Sequence, residues 1–261
     1  WVWNCYHFKG RNLPERAQIL SPLIYTEEKQ TYLHVPIKKV VEDIRSIKER
    51  MKVEKCILAL SFPGNNSIAV GAVMTREGFL KRAQFFLGGL ELKARKKTLK
   101  RKLEKLKKQC QLETKKKERY RKRIENINKY YAHLVSRRIV EYCISQEIKI
   151  IVVPNYQHGI DFSKKRYLNT DCFEWIGRKI IQYLKYKAFL NGILVSAVPT
   201  VHISNCCSVC GAKIKRYNEG HTPGAGYWGG QLFLCPNGHQ GNSGLNTARN
   251  VGKRFISYYK D

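Results

Sequence analysis

Cys207-Ser-Val-Cys210 and Cys235-Pro-Asn-Gly-His239 are the residues whose types and spacing could hold a metal. Zn²⁺ in a structural site takes four thiolate or imidazole ligands, delivered as two close pairs from two turns. Gly211 lets the backbone turn after the first pair. Pro236-Asn-Gly238 supplies the turn inside the second, where three residues intervene rather than two. The expected ligands are Cys207, Cys210, Cys235 and His239, a Cys3His set for Zn²⁺, with His221 and Cys206 competing for the fourth place. The bland alternative is four reduced cysteines that lie near one another by chance. Residues 217–230 between the pairs read as a loop from their glycine, proline and polar content.

Charge points to a second chemistry. The chain has 261 residues, with 49 Lys+Arg against 20 Asp+Glu and a net charge of +29. Such an excess concerns partners rather than fold, and a polyanion is the natural partner, nucleic acid first. Twenty basic and five acidic residues fall between 91 and 140. Charge clustered so densely repels itself unless a polyanion offsets it. Lys115, Lys116, Lys117, Arg119, Arg121, Lys122 and Arg123 are the expected phosphate contacts; for any one of them the competing reading is a solvated helix face.

The remaining cysteines (Cys5, Cys56, Cys110, Cys143, Cys172) are scattered singly. They read as reduced, core-type cysteine of a cytosolic protein. No apolar run reaches the ~20 residues of a membrane helix, and no signal peptide is visible. A chain that opens on Trp1 rather than Met is expected to be a fragment of a longer product.

These residues need a scaffold. Two short strands around a polar turn are expected between Ile19 and Pro36, then a helix over 37–52 through Val40, Ile44, Ile47 and Met51. Cys56–Phe62, Ser67–Met74 and Phe79–Leu87 read as three strands of an antiparallel meander. Leu92, Leu99, Leu103, Leu106 and Cys110 form one coiled-coil-like stripe; Tyr120, Ile124, Ile127, Tyr131 and Leu134 form another. A helical hairpin over 91–145 with its turn near 112–117 follows. Ile148–Val153 reads as a strand buried on both faces. A helix over 173–191, a strand over 193–198 and a last helix over 244–259 complete the chain. The order is that of an α/β, ribonuclease H-like domain, with the hairpin added before the fourth strand and the metal module before the last helix.

At Ser204-Asn-Cys-Cys-Ser-Val-Cys-Gly211, Cys235-Pro-Asn, Asn246-Thr-Ala-Arg-Asn250, Lys185-Tyr-Lys-Ala188 with Gly192-Ile193, and His133-Leu-Val-Ser136, the chain resembles the TnpB proteins of bacterial transposons and the related type V CRISPR effectors. The resemblance covers about residues 20–258. It implies a RuvC-type domain over 53–202, a zinc ribbon over 203–241, a last RuvC helix over 242–261 and a β-rich, wedge-like segment over 1–52. It also implies a guide RNA that directs the protein to DNA, in a bacterial cytoplasm and at the nucleoid when bound. RuvC-type cleavage holds two Mg²⁺ ions with carboxylates from the first strand, the end of the fourth strand and the start of the last helix. The matching positions here are Ser61, Pro154 and Gly244, none of them acidic. Asp161 and Asp171 are too far along a loop to replace them, because two-metal geometry tolerates little displacement. The resemblance therefore implies RNA-guided DNA binding without cleavage, acting by target occupancy (transcriptional repression) or by guiding a transposition machinery. The alternatives are a residual Mg²⁺-dependent endonuclease and an RNA-binding assembly partner. The family's recognition lobe has no counterpart here, so a second protein chain or a larger complex is expected to supply it.

Overall fold

The computed structural model describes residues 18–27, 30–38, 43, 45–108, 114–156, 176–221, 223 and 230–259. The chain divides into two compact units, Trp1–Ile44 and Arg45–Asp261.

The first unit holds two antiparallel pairs, β1 (Gln18–Ile19) with β4 (Ile37–Lys38) and β2 (Leu23–Glu27) with β3 (Gln30–His34). Tyr25 and Tyr32 are cross-strand partners whose rings stack 5.3 Å apart, the pairing that steadies a two-stranded ribbon. Of the helix expected over 37–52, the described residues form the second part and not the first. Ile37–Lys38 pairs with β1 instead, and α1 covers only Ile47–Val53. A capping box sets that start: the Ser46 side chain accepts from the Glu49 N–H, and the Glu49 carboxylate accepts from the Ser46 N–H.

In the second unit the sheet order is β7-β6-β5-β8-β9. β5 (Cys56–Ser61), β6 (Ser67–Thr75) and β7 (Leu80–Leu87) form the antiparallel meander. β8 (Ile150–Asn155) lies parallel to β5, and β9 (Leu194–Pro199) parallel to β8. Side chains alternate across a strand, and both faces are covered. Leu58 and Leu60 pack with Ile139, Val153 and Leu184 on one face; Ile57 and Ala59 pack with Val152, Val251 and Phe255 on the other. Buried Arg50 donates to the carbonyls of Lys149 and Gly192, just ahead of β8 and β9, and so ties α1 to the sheet.

The first face carries α2 (Gly89–Lys108), α3 (Thr114–Ser145) and α4 (Ile176–Phe189). The hairpin breaks earlier than expected. α3 already runs from Thr114, so Lys115–Lys117 are helical rather than part of the turn. Lysine stems can splay into water from a helix, and dense charge alone does not end one. Cys110 and Trp175 lie outside the described residues. The other face carries α5 (Ser243–Ser257), which approaches closely at Gly252: a Cβ there would sit 2.4 Å from the Met74 sulfur and 3.0 Å from Ala59 Cβ. Three short antiparallel strands, β10 (Lys215–Tyr217), β11 (Leu232–Leu234) and β12 (Gln240–Asn242), precede α5.

Candidate metal centre and the carboxyl end of the sheet

Ligand atoms of Cys207, Cys210, Cys235 and His239 all lie within 4.8 Å of one another, the convergence expected from their spacing. Backbone turns aim them. Gly211 N–H donates to Cys207 O and Gly238 N–H to Cys235 O, closing one tight turn at each pair, with positive φ at both glycines. Val209 N–H and Asn237 N–H point at the Cys207 and Cys235 sulfurs, at 3.4 and 3.5 Å. The Cys210 and Cys235 sulfurs are 3.3 Å apart. The Ala212 backbone N–H, above all, draws the Cys210 thiol down to about 6. His239 Nδ1 is buried without a hydrogen-bond partner. Three sulfurs and one imidazole, convergent and part-buried, fit a tetrahedral Zn²⁺ set. His221 and Cys206 are not in the group.

The centre is fastened to α5. Asn246 accepts from Ser208 N–H at 2.7 Å and donates to Cys206 O at 2.8 Å. Asn250 donates to Ile203 O and to Cys206 O, and Lys253 to Ser208 O. The Asn246 and Asn250 side chains thus read the backbone of the first cysteine turn, a role their positions in the sequence did not disclose.

At the carboxyl ends of β5 and β8 the structure gathers the other three positions. Ser61 closes β5 and is 2 % exposed. Its hydroxyl donates to Gly244 O at 2.7 Å. The β5–β8 register pairs Ala59 with Val152, and two residues further along Ser61 is level with Pro154. Proline has no N–H for a ladder and is tolerated here because the β5 pairing has ended. Gly244 lies in the first turn of α5, beside the Asn242 cap. A Cβ on it would meet Pro63 Cγ at 3.1 Å and Val70 Cγ2 at 3.2 Å. A pocket of about 220 Å³ opens here between Ser61, Tyr156, Thr200, Arg216, Gly244 and Thr247. Its described lining holds no carboxylate, and Arg216 is its charged member. Arg216 donates to Gly230 O and to the Ser243 hydroxyl, which ties β10 to the start of α5. Asp161 and Asp171 lie outside the described residues.

The expected phosphate contacts occupy the first turns of α3. Lys115, Lys116, Arg119, Arg121, Lys122 and Arg123 are exposed and Lys117 is half-buried. At about 100° per residue, Lys115, Lys116, Arg119, Lys122 and Arg123 fall within an arc of roughly 120°, away from buried Ile124. A helix amino terminus carries partial positive charge, so this cationic arc works against the helix dipole.

Residues 178–251 match the family model of the Cas12f1-like TNB domain. That segment holds most of α4, β9, the cysteine turns and the first half of α5. A cryo-EM structure of a Cas12f1–sgRNA–target DNA complex matches with a TM-score of 0.53 at 16% identity, covering 88% of this chain and 55% of that one. The structure of the mini-RNA-guided endonuclease CRISPR-Cas phi3 matches with a TM-score of 0.50 at 10% identity, covering 82% and 47%. No curated protein matches the chain. The chain thus spans about half the length of the Cas12f1 it resembles. The fold is the mixed α/β fold found in these effectors. Over residues 178–251, which hold the cysteine turns and Asn246–Asn250, the chain is similar to the Cas12f1-like TNB domain. No described helix is long and apolar enough to cross a membrane.

Proposed function

We propose that this chain is the ribonuclease H-like (RuvC) and zinc-ribbon portion of an RNA-guided DNA-binding protein that holds DNA without cutting it. One observation carries the reading. Where two-metal cleavage needs converging carboxylates, Ser61 donates its hydroxyl to the Gly244 carbonyl, and the described pocket lining is free of acids. Serine is a poor Mg²⁺ ligand by itself, and proline and glycine offer no side-chain donor.

Binding then rests on charge and shape. In such a complex base pairing with the guide reads sequence, and the protein contacts backbone. The cationic arc of α3 suits that task, while the Cys3His set would hold Zn²⁺ and stiffen the ribbon against α5. Occupancy of a promoter, or delivery of a transposition machinery to a target, are the uses open to a binder that does not cut. The recognition lobe would come from the rest of the protein or from a second chain.

The test is to sequence RNA that co-purifies with the protein, then offer the complex matched duplex DNA with Mg²⁺ or Mn²⁺. A gel shift that needs the matched sequence, with the DNA left intact, is the expected result. Cleavage that Asp161→Ala abolishes would overturn it in favour of a residual nuclease. Binding of RNA with no response to matched DNA would favour an assembly partner.

A further inference from the structure

At the other end of the sheet, about 21 Å along α5 from Gly244 at 1.5 Å per residue, lies a cleft of about 620 Å³. It runs between α1, the β6–β7 turn and the end of α5. Lys48, Lys52 and Arg76 line it, with Tyr258, Tyr259 and one acid, Glu77. A second cleft of about 540 Å³ continues on the far side of the same turn and adds Lys55 and Lys81. Phe79, on that turn, is 72% exposed.

Two features of this surface do not follow from folding alone, and a third holds it in place. Lys48 and Lys52 stand four apart on a seven-residue helix, where like charges repel across one turn. Tyr259 packs its ring on Phe255, with centroids 4.8 Å apart, whereas its neighbour Tyr258 presents its ring to solvent, 57% exposed. Arg76 donates to Met51 O and Lys52 O and so fixes the β6–β7 turn, with exposed Phe79, against α1. Cations beside exposed rings form the kind of platform on which single-stranded nucleic acid stacks: bases on rings, backbone on lysines.

We propose that this cleft is a binding site for single-stranded RNA, with phosphates on Lys48 and Lys52 and a base stacked on Tyr258. The inference rests on the RNA-guided reading above and assigns the RNA a place within it. DNA belongs at the carboxyl end of the sheet in that reading; the cleft lies at the opposite end, where an RNA strand can be held throughout.

The experiment uses the full chain and a fluorescent 12-nucleotide oligouridine carrying 4-thiouridine. Expected are photocrosslinks to the peptides containing residues 48–52 or 258–259. Tyr258→Ala is expected to weaken binding by roughly ten-fold, within the range seen for loss of one stacked base. Lys48→Ala with Lys52→Ala should also flatten the salt dependence by about 1.4 in log–log slope, two single-strand phosphates at about 0.7 each. All three side chains are exposed, so an unchanged Tm separates these effects from misfolding. Crosslinks confined to α2 and α3, with both variants within two-fold of the parent, would overturn the cleft and leave the RNA-guided reading standing. Equal competition by oligothymidine would overturn the assignment to RNA. Failure to bind any RNA would overturn both readings.

Discussion

The cysteine turns and the carboxyl end of the sheet lie against the same helix, α5, and are built in opposite ways. At the turns, four donors converge and backbone N–H groups point at the sulfurs. At the sheet, Ser61 and Gly244 satisfy each other, and the space a longer side chain would need at 244 is taken by Pro63 and Val70. One region is poised for a ligand from outside; the other keeps a pocket of about 220 Å³ whose described lining offers no carboxylate. The difference lies in how each set of side chains is assembled. The structural set depends on local turns with Gly211 and Gly238, whereas a reactive set depends on side chains from three distant segments.

The comparison breaks most easily at the metal. Cys235→Ser is expected to abolish binding of one Zn²⁺ per chain, read by elemental analysis. Structural zinc contributes about 10–16 kcal/mol of apparent binding energy in small ribbons, so chelation should unfold 205–242 cooperatively, read by hydrogen exchange. Stoichiometric zinc in the Cys235→Ser protein would sink the ligand assignment. The same experiment on His239→Ala should weaken zinc binding steeply, while His221→Ala should leave it unchanged.

The carboxyl end of the sheet gives the next largest effect. Gly244→Asp must displace Pro63, Val70 or the Asn242 cap, and overpacking of this kind costs about 1–3 kcal/mol. For a domain of this size that is roughly 2–4 °C in Tm per kcal/mol. Restoring a carboxylate there should therefore lower stability and give no cleavage. Ser61→Ala removes one donor from the Gly244 carbonyl, which keeps the helical N–H of Ala248, and so costs about 0.5–1.5 kcal/mol. A Tm equal to the parent's in both variants would show that neither contact holds this end together. Asn246→Ala connects the two regions, since it removes a donor and an acceptor from the first cysteine turn. It should cost a similar amount and also speed metal loss to a chelator, which Ser61→Ala should not.

Much of this architecture was legible because its signals are local. The unbroken apolar run before Pro154 marks a strand covered on both faces, and β8 lies between β5 and β9. The two cysteine turns carry their glycines with them. Elements failed where a tertiary partner overrode a local pattern. Ile47 and Met51 lie on a helix as their spacing implies, but Ile37–Lys38 pairs with β1 and the capping box of Ser46 and Glu49 sets the start of α1; Val40 and Ile44 lie outside the described residues. The Ser61–Gly244 contact was beyond reach for a different reason. Neither residue type signals a partner, and 183 residues separate them. The clamp of Asn246 and Asn250 on Cys206 O has the same character, because an asparagine on a helix does not say what lies across from it.

The smallest expected effect contrasts two thiols, one in each kind of environment. Burial pushes the Cys143 thiol up to about 12, in the core that α3 makes with the sheet, whereas exposed Cys210 is drawn down to about 6. Thiolate is the reactive form. At pH 8 the metal-free chain, its α3–sheet core still folded, should therefore take up iodoacetamide at Cys210 within minutes and at Cys143 only after denaturant is added, read by mass spectrometry of the peptides. The sign of the linked stability follows from the same shift. The unfolded chain releases the Cys143 proton near 9 and the folded chain holds it to about 12, so the unfolded state binds fewer protons between them and stability falls as pH rises through that window. Cys143→Ala removes that slope and replaces it with a constant cavity cost. Rapid alkylation of Cys143 in the folded protein would mean that the contact between α3 and the sheet opens readily, and the contrast between the two thiols would fail.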